Sequence, residues 1–266
     1  MRRGRRSWRD YVKPMLGDKT FRLRFRMEYP DFISLVSLVR PRLERDELRG
    51  AARNGSIPVE FLVAMALRFA AGASVYECMD GHVIARSTAY EILGRVWEAL
   101  NACKELDCVW PEGDAVDRAA AGFKTRSIHE VVRKAAGAMD GLYIRMRKPD
   151  IKEYSLPVRF WSGHKKGFGM NFQQPATRDL LLLSSHACLS KPWSQNDRTA
   201  FKASGFHKLL EKLPEGFYIL GDNAYPASDR VLVPFPGSKL TDSQDVYNFY
   251  QSQGWMAIEQ TFGIMV

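Results

Sequence analysis

The sequence predicts two parts of different class: an all-α, helix-turn-helix-like first half followed by an α/β second half. Two observations predict it. From residue 27 to about 110, apolar residues recur at helical spacing. Beyond residue 135 the texture changes to short β-like runs alternating with helices, the pattern of an α/β layer fold.

Within Met27–Leu43, apolar Phe32, Ile33, Leu35, Val36, Leu38 and Val39 mark one helical face until Pro41 interrupts. Pro58 is placed near the first position of a second helix, through Phe61, Leu62, Met65, Leu67 and Phe69 to Gly72. A short helix is expected from Ser74 to about Met79, with Gly81 at the turn. Ser87 is placed to cap a fourth helix, Thr88 to about Cys103, with Ile92, Leu93, Val96, Ala99 and Leu100 on its apolar face. Helix, short helix, glycine turn and capped helix is the helix-turn-helix order. Arg86, Ser87, Thr88 and Tyr90 would then open a recognition helix and contact DNA. A plain helical packing domain fits the same pattern.

The stretch 111–134 begins polar and irregular and reads as a linker. After it, strands are expected at Ala138–Arg147, Phe168–Gln174, Leu180–Ser185 and Phe217–Leu220. One helix is expected from about Asp197 to Leu213 and a last one from about Asp245 to Met265.

The net charge of +9 is unevenly placed. Residues 1–26 carry ten Lys/Arg, among them Arg2, Arg3, Arg5 and Arg6, against Asp10 and Asp18, whereas the other 240 carry 29 basic and 28 acidic groups. A basic N-terminal arm over 1–26 suits phosphate neutralisation or nuclear import, and equally a solvated leader. Four cysteines (Cys78, Cys103, Cys108, Cys188) lack both a disulfide framework and zinc-site spacing, so ordinary thiols are expected. No apolar run approaches the ~18–20 residues of a membrane span, and the charged N-terminus lacks a secretory apolar core. A soluble protein of a reducing compartment is expected, with no membrane partner.

Two acids stand at telling places. Asp140 follows the apolar run Ala135-Ala136-Gly137-Ala138-Met139, and Asp222 follows Phe217-Tyr218-Ile219-Leu220-Gly221. A carboxylate at the end of an apolar strand is costly unless paired or bound to a cation. Strand ends are also where sites gather in α/β sheets. An Asp capping a turn is the alternative for each. Glu259 lies in the last amphipathic helix, where an exposed Glu alone means little.

Four blocks come in order: Gly137-Ala138-Met139-Asp140-Gly141, the run from Lys165 to Gln173, Gly221-Asp222-Asn223-Ala224-Tyr225-Pro226, and Ile258-Glu259-Gln260-Thr261-Phe262-Gly263. Together they resemble the PIF/Harbinger superfamily of DDE transposases and their domesticated nuclease relatives. Residues 67–93 resemble that family's helix-turn-helix region, so the likeness covers the chain from about residue 27 onward. The resemblance implies an RNase H-like catalytic domain over 135–266, preceded by the helical helix-turn-helix-like domain at 27–110. It implies catalytic, metal-holding carboxylates Asp140, Asp222 and Glu259, with two divalent ions (Mg²⁺ or Mn²⁺) activating the attacking oxygen and stabilising the leaving one. Asp140 would bridge the ions, and Asp222 and Glu259 would each complete one coordination sphere. Arg145, Lys165 and Lys166 are candidates for holding DNA phosphates, or are solvated cations. A Myb-like DNA-binding partner protein, a homo-oligomer and a nuclear location are further expectations of the same likeness.

The sequence departs from the family's pattern in three places. Thr177 stands where an Asp is usual, with Asp179 two residues on. Asp197 is followed by Arg198 rather than Ser, and is expected to cap a helix. The family continues past E-x-x-F-G, so the chain is expected to be cut short, leaving Glu259 on a helix prone to fray. The leading expectation is a metal-dependent DNA nuclease or transposase. The alternatives are a catalytically decayed, transposase-derived DNA-binding protein and a remnant reading frame.

Overall fold

The computed structural model describes residues 7–44, 56–82, 84–163, 165–183, 190–192, 201–202 and 205–265. The chain divides into two units, Met1–Asp107 and Cys108–Val266.

The first unit is all-α: α1 (Trp8–Gly17), α2 (Phe21–Phe25), α3 (Tyr29–Leu43), α4 (Val59–Ala70), α5 (Val75–His82) and α6 (Arg86–Asn101). Its centre is α4, whose residues Phe61 to Ala66 are all buried against α3, α5 and α6. That burial follows from a helix with almost no polar residue. The basic N-terminal stretch is a correction. From Trp8 onward it is helical and packed: Val12, Met15, Phe21 and Phe25 are buried, and Trp8 stacks on Phe32 at 5.2 Å. Its cations ride the outer faces of two short amphipathic helices rather than a free arm. Arg2, Arg3, Arg5 and Arg6 lie outside the described residues.

Ser74 and Glu77 close the start of α5 reciprocally. The Glu77 amide donates to Ser74 Oγ at 3.2 Å, and the Ser74 amide donates to Glu77 Oε2 at 2.7 Å. The helix then runs through Gly81, past the expected end near Met79. Ser87 does not cap α6, a second correction. Ala85 holds the cap position in extended backbone, and Ser87 is already inside the helix. Arg86 opens the helix, with its guanidinium 5.6 Å from the Tyr76 ring centre and 5.8 Å from that of Tyr90.

The second unit is mixed α/β, an arrangement consistent with an RNase H-like domain. Its elements are α7 (Asp114–Arg126), β1 (Ala135–Arg145), β2 (Trp161–Ser162), β3 (Gly167–Ala176), β4 (Ser190–Pro192), α8 (Phe206–Leu210), β5 (Tyr218–Leu220), β6 (Val231–Leu232) and α9 (Asp242–Met265). The sheet order is β2-β3-β1-β5-β6, with β4 also pairing β3. Antiparallel β1–β3 and parallel β1–β5 and β5–β6 make it a mixed sheet. The stretch 111–134 is therefore no linker. It carries α7, whose Val116, Ala120 and Phe123 are buried at the sheet. The run Leu180–Ser185 forms no strand over its described part, only a bridge between Leu182 and Ala176. The expected helix Asp197–Leu213 is represented by α8; the segment around Asp197 and Cys188 lies outside the described residues.

The sheet separates two cores. Ala136, Met139 and Ile219 pack with Phe206 and Leu210 of α8 on one face. Ala135, Ala138 and Leu220 pack with Ala257, Ile258 and Phe262 of α9 on the other. Strict alternation would put Ala135 and Ala138 on opposite faces. They share one because β1 carries a one-residue bulge: Ala135 pairs Tyr218, yet Gly137 pairs the next residue, Ile219.

Tyr143 crosses to β3, its hydroxyl donating to Phe168 O at 3.0 Å, and its ring lies over Gly169. A Cβ at Gly169 would come within 2.0 Å of that ring and 2.7 Å of Ile144 O. Gly169→Ala is therefore expected to destabilise the protein by about 1–3 kcal/mol through overpacking. Urea denaturation with an unchanged midpoint would contradict this.

Candidate active site

The site is built from the carboxyl ends of two neighbouring parallel strands. Gly137 pairs Ile219 and Ala138 pairs Leu220. Asp140 and Asp222 each lie two residues beyond Ala138–Leu220, the last pair that joins the two strands. Both face α9. Asp140 lies between Ala138, buried in the core shared with α9, and Leu142, which packs against that core. Asp222 borders a groove of about 560 Å³ with Asp245, Asn248, Ser252 and Trp255 of α9. Both aspartates are half-buried. Each also steadies the local backbone: Asp140 Oδ1 accepts from the Gly141 amide at 2.7 Å and Asp222 Oδ1 from the Ala224 amide at 3.0 Å.

Helix α9 is bonded to the backbone just before each aspartate. Gln251 Nε2 donates to Gly221 O at 2.7 Å and to Leu232 O at 3.3 Å. One turn on, Trp255 Nε1 donates to Met139 O at 3.1 Å. Glu259 follows one further turn along the same side of α9, exposed to solvent. The helix continues formed to Met265, and Thr261 and Phe262 beyond Glu259 are buried. The expected fraying at Glu259 is thus opposed by packing on its far side.

Asp140 and Asp222 thus lie at the same end of the paired strands β1 and β5, with Glu259 on α9, the helix bonded to both strand ends. It does not gather the three: among the described residues, no group of three or more His, Cys, Asp or Glu side chains is assembled to hold a metal ion. The donor chemistry of the aspartate pair suits a hard divalent cation, since adjacent half-buried carboxylate oxygens are its preferred ligands.

The candidate phosphate contacts form a separate group. Arg145 pairs with Gly169 across β1–β3, and its guanidinium lies over Gly167, next to the exposed Lys165 and Lys166. Five residues of strand separate Arg145 from Asp140, roughly 17 Å. The three cations therefore adjoin one another but not the carboxylates. In the first unit, Arg86, Ser87 and Tyr90 are exposed and Thr88 is half-buried. The hydroxyl of Tyr90 accepts from Arg86, which pushes the arginine pKa up, with the Tyr76 hydroxyl adding to it. Asp179, in the region where the family pattern has an acid, is paired with Arg126 at 2.5 Å. The Cys78 thiol donates to Met65 O at 3.8 Å and the Cys103 thiol to Glu105 Oε2 at 3.2 Å.

Two motif blocks prove to be wired together. Gln173, fully buried, donates to Asn171 Oδ1 at 2.9 Å and accepts from the Tyr225 hydroxyl. The strand after Lys166 and the turn after Asp222 are thereby locked to each other in the core. Polar Asn171 and Gln173 at every second strand position would ordinarily read as a solvent face, so residue type alone gives no signal of this network. Tyr225→Phe leaves a buried acceptor without its hydroxyl and is expected to cost about 1–3 kcal/mol. A chemical-denaturation midpoint equal to the wild type's would show that the bond contributes nothing net.

No helix among the described residues is long and apolar enough to cross a membrane. Residues 139–265 match the model of the DDE superfamily endonuclease family. The chain is also 26% identical over 257 residues to Protein ALP1-like of Arabidopsis thaliana. That alignment covers 91% of this chain and 61% of the relative, so the chain spans under two thirds of that protein's length. No solved structure gives a significant match. The matched segment, just under half of the chain, opens one residue before Asp140 and includes Asp222 and Glu259.

Proposed function

We propose that the second unit cleaves DNA phosphodiesters, with Asp140 and Asp222 holding divalent cations and Glu259 completing the set. The observation that supports this reading is the parallel pairing of β1 with β5, after which each strand carries an aspartate two residues beyond the last shared pair, at the edge of an apolar core. The cations, Mg²⁺ or Mn²⁺, would activate a water and stabilise the leaving oxygen. The protein's own part is orientation. Gln251 and Trp255 fix the two strand ends against α9, and the apolar core beneath them keeps the aspartates from turning inward.

Arg145, Lys165 and Lys166 would hold phosphates some 17 Å along the strand, about five nucleotide steps of a duplex. Arg86, Ser87, Thr88 and Tyr90 would contact DNA from the first unit, with Arg86 steadied between two tyrosine rings. The family likeness extends the proposal to strand transfer, a Myb-like DNA-binding partner, a homo-oligomer and a nuclear location. The purified chain is expected to nick supercoiled plasmid in Mg²⁺ or Mn²⁺ and to stop in EDTA. DNA binding without any cutting would favour a decayed, DNA-binding descendant instead.

A further inference from the structure

The average charge of the chain hides one dense patch. Residues 145–166 hold seven Lys/Arg against two Asp/Glu. Both acids are engaged within the segment itself. Glu153 pairs with Arg147 and accepts from the Asp150 amide at 2.9 Å, and Asp150 Oδ1 accepts from the Lys152 amide at 2.9 Å. The segment folds around a groove of about 760 Å³, bordered by Lys148, Leu156, Val158, Trp161 and Phe168. Trp161 is 43% exposed although its indole packs edge-on to Phe168 at a ring separation of 5.1 Å. Val158 beside it is 69% exposed. An indole held by a second ring, with nearly half of its surface left to solvent and cations on the rim, can serve as a stacking platform joined to a phosphate-attracting surface.

We propose that this groove binds single-stranded nucleic acid, one unpaired base stacking on Trp161 while neighbouring phosphates meet Lys148 and the Arg145–Lys165–Lys166 group. A duplex keeps its base faces in its own stack and gains nothing from an exposed indole, whereas an unpaired base gains a partner. Charge complementarity selects a polyanion, because the local acids are already engaged. The site takes no part in holding the cations at Asp140 and Asp222. It can therefore be read as binding in EDTA, whether or not the chain cuts DNA.

The test is fluorescence anisotropy of the full chain with labelled oligo(dT) of about 12 nucleotides, and with a duplex of the same length. Trp161→Ala is expected to weaken oligo(dT) binding by about 5- to 150-fold and leave the duplex unaffected, with Trp161→Phe restoring most of the loss. Lys148→Gln should lower the slope of log affinity against log salt by about 0.7. Unchanged thermal unfolding of the variants assigns these losses to the groove. Wild-type affinity in Trp161→Ala overturns the proposal. So does an equal loss for oligo(dT) and duplex, which would mark a general phosphate patch. Tighter binding of a Glu-rich peptide than of oligo(dT) also overturns it, by assigning the groove to a protein partner.

Discussion

Asp140→Asn is expected to lower metal-dependent nicking by about 10³-fold or more while leaving the fold intact or slightly firmer. The loss follows from removing an oxygen ligand's charge where a divalent ion would act, an effect of several kcal/mol on the barrier. The firmness follows from Coulomb's law. Two carboxylates about 5 Å apart repel by about 1 kcal/mol in bulk water and about 3 kcal/mol near a protein surface, and without metal that repulsion disappears in the Asn variant. For a unit of this size about 1 kcal/mol corresponds to roughly 2–4 °C. Calorimetry in EDTA should therefore give a midpoint equal to or above the wild type's. Undiminished nicking would remove Asp140 from the chemistry. Inactivity accompanied by a much lower midpoint would trace the loss to misfolding instead. Asp222→Asn is expected to behave alike, which neither a turn cap nor a surface aspartate would do.

Gln251→Leu is expected to cost about 2–3 kcal/mol, the larger of the two effects at α9. It leaves the buried Gly221 carbonyl to find another donor, while the Leu232 carbonyl keeps the Gly221 amide at 3.0 Å. Trp255→Phe, which deletes one N–H from the part-buried Trp255 to the carbonyl of Met139, should cost about 1 kcal/mol. Because both bonds hold one rigid helix to adjacent strands, the double variant should lose less than the sum. Nicking, if present, should fall further than stability predicts, since Asp222 and Glu259 lose their common support. Thermal unfolding with additive losses and unaltered nicking would mean that the two contacts are only packing.

The aspartates were legible in the sequence because each follows an apolar strand run that buries itself, leaving the next carboxylate at the edge of the core. Glu259 was not: on an amphipathic helix its carboxylate looks like any solvated group, and only the motif around it points to a role. The stretch 111–134 looked like a linker because the turn before it is polar and the helix face is built largely from small residues. Val116, Ala120 and Phe123 are spaced correctly for α7 but carry one large side chain among them. Arginines concealed Trp8, Val12 and Met15 of α1 in the same way, although the spacing of four and three residues is there. Leu180–Ser185 failed for the opposite reason. Its leucines are apolar enough for a strand, yet Leu181 remains exposed and the described residues 180–183 make only a bridge. The Asn171–Gln173–Tyr225 network lies beyond any periodicity argument, since burial of polar groups depends on which distant residue answers them.

The bulge between Ala135 and Gly137 has a consequence for reading-frame-preserving indels. A strand's side chains behave like a two-state counter, and the extra residue advances that counter once before Asp140 is reached. Excising Ala136 would leave Ala135 and Gly137 facing the consecutive residues Tyr218 and Ile219 in plain alternation, so the bulge is slack that absorbs a one-residue deletion and Asp140 keeps its side. Further along the strand there is no slack. Excising Met139 would move Asp140 into its position and turn the carboxylate toward α8, while Asp222 kept its outlook on α9. Two deletions three residues apart in one strand are thus expected to differ sharply in effect.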